Sequence, residues 1–278
     1  MSRKLTVGWG GALLAVAVAG TGLVAQDRWG WRWRDREPRF PPERPTDRAF
    51  SMCRLMYDRV RREGGGQGWI TDYPWAEINF MTRLADLTKT HVSFDSAGRP
   101  NHYVVRPTDE ALFTCPFVMA SDVGTMGLGP DEATRLADYL AKGGFLWVDD
   151  FWGTYAWAHW EREIRTVLPA DDYPILDLPP DDPIFATLYN LERVPQITSI
   201  QFWRRSGGTT TSERGPDSAE PHARAIRDAA GRIMVLMTHN TDIADAWERE
   251  GEDDDFFFAF AHDGYAMGFN VLLHAMTH

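Results

Sequence analysis

The chain has 278 residues and a net charge of −11, with 44% hydrophobic and 25% charged residues and a high count of twelve tryptophans. That length holds one large α/β domain or two small ones with ample core. The charge is uneven. Residues 1–50 carry nine Lys or Arg against five Asp or Glu, which leaves 20 basic and 35 acidic residues in 51–278. So acidic a body excludes non-specific nucleic-acid binding, which needs basic surface to displace counterions.

Ser2-Arg3-Lys4 gives a basic start to an uncharged apolar stretch from Leu5 to Val24. As a signal peptide it would be cut after Ala25 or near Ala17-Val18-Ala19. As an anchor, it has about the length a bilayer needs. Residues 1–25 are therefore read as a signal peptide or N-terminal membrane anchor, and no cysteine follows for lipidation. Either reading places the domain outside the cytoplasm, periplasmic or anchored to the outer face of the cytoplasmic membrane. Residues 26–49 read as a linker, where Trp29, Trp31 and Trp33 alternate with arginines before Pro38, Pro41, Pro42 and Pro45. Such a segment cannot bury a core. It is either a solvated tether or, with residues 1–36 as a unit, a means of membrane association through interfacial indoles. Cys53 and Cys115 are the only cysteines. An oxidising compartment would permit their pairing, a buried thiol at Cys115 fits as well, and the lack of Cys-x-x-Cys argues against structural zinc.

The folded body is expected over residues 50–278. Residues 51–57 read as a first strand, and residues 58–69 as a charged, Gly-rich loop. Residues 77–88 have helical spacing, with Ile78, Met81, Leu84 and Ala85 on one side. Residues 92–94 and 104–105 are short strand candidates, and 117–120 a core strand ending at Ser121-Asp122. Pro130-Asp131-Glu132 opens a helix, since proline and acids suit the first turn, and Gly143-Gly144 stops it. Phe145-Leu146-Trp147-Val148 then reads as a buried parallel strand, ending in Asp149-Asp150. Residues 157–167 form another helix. Residues 171–230 read as loop-rich, with 206–220 mobile. A last strand over 232–238 ends in His239-Asn240-Thr241-Asp242, and an amphipathic helix over 265–276 closes the fold.

In open α/β sheets, ligands sit beyond the carboxyl ends of the strands, which makes the two polar strand ends candidate sites. Adjacent Asp149 and Asp150 point to opposite faces in extended geometry, so one can serve as a general base or an oxygen ligand while the other caps or pairs. His239, Asn240, Asp242 and Asp245 form the second cluster. Asp242 serves equally well as an N-cap, and His239 as a core histidine. His222, placed in a loop, is a candidate third partner. Asp72 and Tyr73 precede a proline, where the chain is held extended. Trp152 and Trp247 either wall a pocket or pack the core. Residues 248–255 lack the ligand pattern of an EF-hand and read as a solvated acidic loop. The glycines at 64–68 have neither a P-loop lysine nor Rossmann spacing, so nucleotide binding is excluded on that ground. No metal site and no cofactor are expected.

The motifs Gly68-Trp69-Ile70-Thr71-Asp72-Tyr73-Pro74 and Gly143-Gly144-Phe145-Leu146-Trp147-Val148-Asp149-Asp150-Phe151-Trp152-Gly153 carry a resemblance. So do Glu220-Pro221-His222, His239-Asn240-Thr241-Asp242, residues 245–251 and Met267-Gly268-Phe269-Asn270-Val271. Over residues 50–278 the chain resembles the bacterial family called domain of unknown function 4159. The resemblance implies an α/β fold like that of the class I glutamine amidotransferases: a three-layer α/β/α sandwich with a mostly parallel, flavodoxin-like sheet. It implies no established activity. Amidotransferases use a cysteine on a sharp strand-to-helix turn, and here that strand ends in two aspartates. Two functions follow as expectations. One is an exported ligand- or partner-binding domain lacking the cysteine nucleophile, whose partner is a small molecule or an envelope protein. The alternative is an extracytoplasmic hydrolase with Asp149, Asp150 and His239 as catalytic groups. In either, Asp72, Tyr73, Trp152, His222, Asn240, Asp242 and Asp245 are the ligand-binding candidates.

Overall fold

The computed structural model describes residues 36–43 and 47–278. The expected signal or anchor and most of the Arg/Trp run lie outside the described residues. In chain order the strands are β1 (Met52–Leu55), β2 (Asp58–Arg59), β3 (His102–Val105), β4 (Phe117–Ser121), β5 (Met126–Gly127), β6 (Phe145–Asp149), β7 (Leu176–Asp177), β8 (His222–Arg227) and β9 (Ile233–His239). The main sheet has the order β3-β1-β4-β6-β9-β8-β7, and β2 pairs with β5 apart from it. The first five run parallel, β8 pairs antiparallel with β9, and β7 antiparallel with β8. Taken in chain order, the parallel strands lie 2-1-3-4-5 across the sheet, the flavodoxin-like arrangement.

Side chains alternate across each strand, so this sheet feeds two cores. Met52, Phe117, Met119, Phe145, Trp147 and Leu236 point to one face. There they meet α1 (Trp75–Leu87), α5 (Asp245–Glu248) and α6 (Asp254–Thr277) through Phe80, Trp247 and Phe269. Cys53, Leu55, Val118, Leu146, Val148 and Met237 point to the other, against Leu136 and Leu140 of α2 (Pro130–Ala141) and Trp160 and Ile164 of α3 (Gly153–Val167). The result is a three-layer α/β/α sandwich.

The glycine pair before β6 has a steric cause. Gly143, at φ 102, ends α2, and a Cβ on Gly144 would stand 2.3 Å from the Tyr139 ring. That ring's hydroxyl donates to the Cys115 carbonyl (2.8 Å) and fixes the α2–β6 turn.

Several elements differ from expectation. Residues 171–230 contain β7, β8 and α4 (Ile200–Ser206). The β8 pattern was faint because Arg224 and Arg227 interrupt its apolar residues, and because its register shifts at Ile226/Arg227. The closing helix begins at Asp254, over ten residues earlier than expected. Asp253 caps it by accepting from the Phe256 N–H (3.1 Å), and the acids read as a solvated loop suit its positive end. In the described part of the linker, the Arg39 carbonyl accepts from Val104 N–H (2.8 Å) and its side chain donates to Asn101 (2.6 Å). That docks Arg39 on the outer edge of β3, a common way to cover an edge strand. No helix among the described residues is long and apolar enough to cross a membrane.

Cys53 of β1 and Cys115, just before β4, form a buried disulfide across a sequence separation of 62. Chain entropy predicts about 4 kcal/mol for a loop of this size. Replacing both cysteines by alanine should lower unfolding stability by about 2–4 kcal/mol, read from the urea midpoint. An unchanged midpoint would contradict a structural role.

Candidate functional site

β4, β6 and β9 are each followed at once by a residue with left-handed backbone: Asp122 (φ 54), Asp150 (φ 54) and Asn240 (φ 61). Aspartate and asparagine are the non-glycine residues that visit this region most readily. Asp72, expected to be extended, is left-handed as well (φ 65). These turns break the pleat alternation and set adjacent acids to different tasks.

Asp149 keeps its place in the scaffold. Its carboxylate accepts from Thr238 Oγ1 (2.6 Å) and Ala244 N–H (3.1 Å), tying β6 to β9 and the loop beyond it. Burial pushes it up to about 7 despite those donors. Asp122 accepts from Gly68 N–H (2.7 Å) and Thr125 Oγ1 (3.3 Å), which holds the glycine loop; burial raises it to about 6. Asn240 accepts from Gly153 N–H (2.8 Å) and donates to the Glu220 carbonyl (2.8 Å). Asp217 accepts from Thr154 N–H (3.0 Å). The first turn of α3, where a flavodoxin-like fold could hold an anion, is thus capped by the chain itself.

The histidines stand apart from the pocket. His239 Nε2 lies 3.1 Å from the Gly153 carbonyl, and Nδ1 faces Arg224 at 3.3 Å. Because the arginine only donates, the proton belongs on Nε2. The ring packs against Phe151, Trp157 and His222. His222 is in β8 and not in a loop, 3.7 Å from Asp177. Tyr73 is fully buried against Trp69 and His102, with its hydroxyl accepting from Arg39 N–H. Trp247 packs in the core with Phe80 and Trp147.

What remains lines a cavity of about 500 Å³: Asp72, Asp150, Asp242, Asp245 and Trp152, with the glycine loop at 64–66 and Arg205 on its rim. A larger cavity of about 830 Å³ opens beside the disulfide, but no carboxylates converge there. In the strand-end pocket, one oxygen from each of Asp72, Asp150 and Asp242 lies within 4.8 Å of the others. Each of these carboxylates accepts a single hydrogen bond among the described residues. The donors are Ser121 Oγ to Asp72 (3.2 Å), Trp152 Nε1 to Asp150 (3.0 Å) and Asp245 N–H to Asp242 (2.9 Å). Asp242 therefore caps the turn into α5 and faces the pocket at once. Burial, then Asp245, pushes Asp72 up to about 7. Burial and neighbouring carboxylates hold Asp150 and Asp242 well above the usual range. Stability from Asp72 is present below its unfolded value of about 3.9 and lost as pH rises through about 7. Ionised, the cluster works against the fold.

Two arginines support it from below. Arg54, 0% exposed, pairs with Glu77, also 0% exposed, at 2.5 Å. It donates to Ser121 Oγ (2.6 Å), which in turn donates to Asp72. Burial opposes its charge, but Glu77 and Asp72 outweigh that and raise its pKa. Arg249 bridges Asp245 (3.2 Å) and Glu248 (2.7 Å).

A family model described as domain of unknown function (DUF4159) matches residues 52–276. The chain belongs to that family. No curated protein matches it. The strand-end pocket therefore lies wholly within the matched DUF4159 region.

Sequence reasoning missed Arg54, Glu77 and Glu248 in this DUF4159 domain. Arg54 had a signal, because a charge inside an apolar strand of a parallel sheet must be paired. Glu77 had none, since helical spacing alone left its face open. Glu248, placed in a solvated loop, is 4% exposed.

Glu77→Ala should cost about 3–5 kcal/mol in chemical denaturation by stranding the Arg54 charge, and a loss under 1 kcal/mol would contradict the pairing. His239, pushed down to about 3 by burial, gives stability that is present above its unfolded value of about 6.5 and lost as pH falls toward 3. Its ring resonances, assigned by their loss in His239→Gln, should stay at the neutral position from pH 8 to 5. A midpoint near 6.5 would show an exposed, protonatable ring instead.

Proposed function

We propose that this DUF4159 domain is an exported ligand-binding domain whose ligand occupies the acidic pocket at the carboxyl ends of β4, β6 and β9. One observation carries the reading: three carboxylates short of donors converge on a cavity of about 500 Å³. A volume in this range suits a small molecule better than an envelope protein. The position agrees with the rule for open α/β sheets.

Both cysteines are spent in the disulfide near the amino ends of the strands, so neither can serve as an amidotransferase-type nucleophile. The same disulfide supports export, since such bonds persist in oxidising compartments. The basic, then apolar, start of the chain supports it independently. Residues 1–36 would tether the domain to the outer face of the cytoplasmic membrane or be cut to release it into the periplasm. The alternative, a carboxylate–histidine hydrolase, has less behind it. Neither His239 nor His222 lines the pocket, and both nitrogens of His239 are engaged.

Thermal melting of the full chain against sugars, amino acids, peptidoglycan fragments and divalent salts tests the reading. A ligand at a hundred times its Kd should add about 2.7 kcal/mol, and Asp150→Asn should abolish that gain. If no compound gives a shift that depends on Asp150, the pocket is not a ligand site.

A further inference from the structure

We propose that Asp72, Asp150 and Asp242 form a divalent-cation site for Ca²⁺, Mg²⁺ or Mn²⁺. The proposal rests on the ligand-pocket reading and names the first ligand of that pocket.

The geometry fits. Oxygens sharing one hard cation at about 2.0–2.6 Å stand at most about 4–5 Å apart, and the three carboxylate oxygens lie within 4.8 Å of one another. An all-carboxylate set suits hard cations and disfavours those that prefer sulfur or imidazole.

A second observation is independent of that convergence. The neighbouring buried carboxylates are matched in one of two ways. Asp149, Asp122 and Asp245 each take two donors, in Asp245 including an arginine. Glu77 and Glu248 each leave one oxygen without a hydrogen bond but pair with Arg54 and Arg249. Asp242 is 3% exposed and takes only one, the Asp245 N–H. An ionised carboxylate has about four acceptor positions, so most of the Asp242 acceptor capacity is left facing Asp72 and Asp150. No Lys, Arg or His among the described residues forms an ion pair with any of the three. A buried carboxylate without a counter-charge either takes up a proton or stays ionised only where something else supplies that charge.

The single donors have a role in this arrangement. Ligating carboxylates are themselves hydrogen-bonded, which orients them, and a single donor leaves their other acceptor positions for the metal. Ser121 Oγ, Trp152 Nε1 and Asp245 N–H each hold one of the three. Arg54 acts through Ser121 and is a positioning residue for Asp72. The neighbouring trio of Asp72, Asp245 and Glu248 is a poorer seat, because Arg249 already bridges the latter two. Half-buried Asp150 leaves the cation a route in from the open pocket.

Calorimetric titration of the chelator-treated full chain with CaCl₂, MgCl₂ and MnCl₂ tests this. One site is expected for at least one metal, with affinity at least tenfold weaker in Asp242→Asn and in Asp150→Asn and unchanged in Asp138→Asn on the solvent face of α2. Saturating metal should raise the melting temperature by roughly 5–10 °C. Should Asp242→Asn fail to fold by circular dichroism, Asp150→Asn, at a half-buried position, decides. Equal binding by wild type and the pocket variants would place the cation elsewhere and overturn the proposal. No metal binding, with an organic compound still giving an Asp150-dependent melting shift, would overturn the cation and leave the pocket reading standing. Neither kind of binding would remove both.

Discussion

Where β4, β6 and β9 end, the chain turns through one left-handed residue, and the layout of the pocket follows from those turns. Each costs roughly 1–2 kcal/mol for an L-residue, which aspartate and asparagine keep near the low end. Hydrogen bonds between neighbouring strand ends hold the conformation: Asp122 N–H donates to the Asp149 carbonyl and Asn240 N–H to the Phe151 carbonyl. Strain of this sort gathers at functional sites. Here it lets Asp149 brace the sheet while its neighbour Asp150 faces the cavity.

The second constraint is charge. The chain buries acids on the strand-end side far beyond what Arg54 and Arg249 can neutralise, and at neutral pH that opposes folding. The amino-end side offers a contrast, with the Cys53–Cys115 bond joining β1 to the approach of β4. One end of the sheet is stapled, and the other holds three carboxylates that form no ion pair with any Lys, Arg or His among the described residues. Natural domains commonly give up stability in this way at the sites they use.

Much of this was legible in the sequence because the signals were local. The glycine pair, the apolar run and the abrupt aspartates marked β6 and its open end, and the proline and acids of residues 130–132 marked α2. The place of β6 in a parallel sheet followed from its unbroken apolar run, and the flavodoxin-like sheet as a whole from the family resemblance. The expectation that Asp149 and Asp150 would diverge also matched, though a left-handed turn and not simple pleating places Asp150. What was not legible depended on partners distant in sequence. β8 is held by pairing with β9 across a bulge, and its apolar content alone is too thin to declare it. The acids of residues 253–255 looked like solvent-facing charge because only the capped helix behind them gives them a role. Arg224, on the adjacent strand β8 and 3.3 Å from His239, helps keep that ring neutral, and no spacing rule could have predicted it.

The central claim is that the pocket is built around a missing positive charge held among Asp72, Asp150 and Asp242. Crystals of the full chain grown with manganese, measured for anomalous scattering, test it most directly. A single strong peak between those three carboxylates, with oxygen distances near those of a bound cation, is the predicted result. A strongest peak elsewhere, or none with the three carboxylates unchanged, would contradict it.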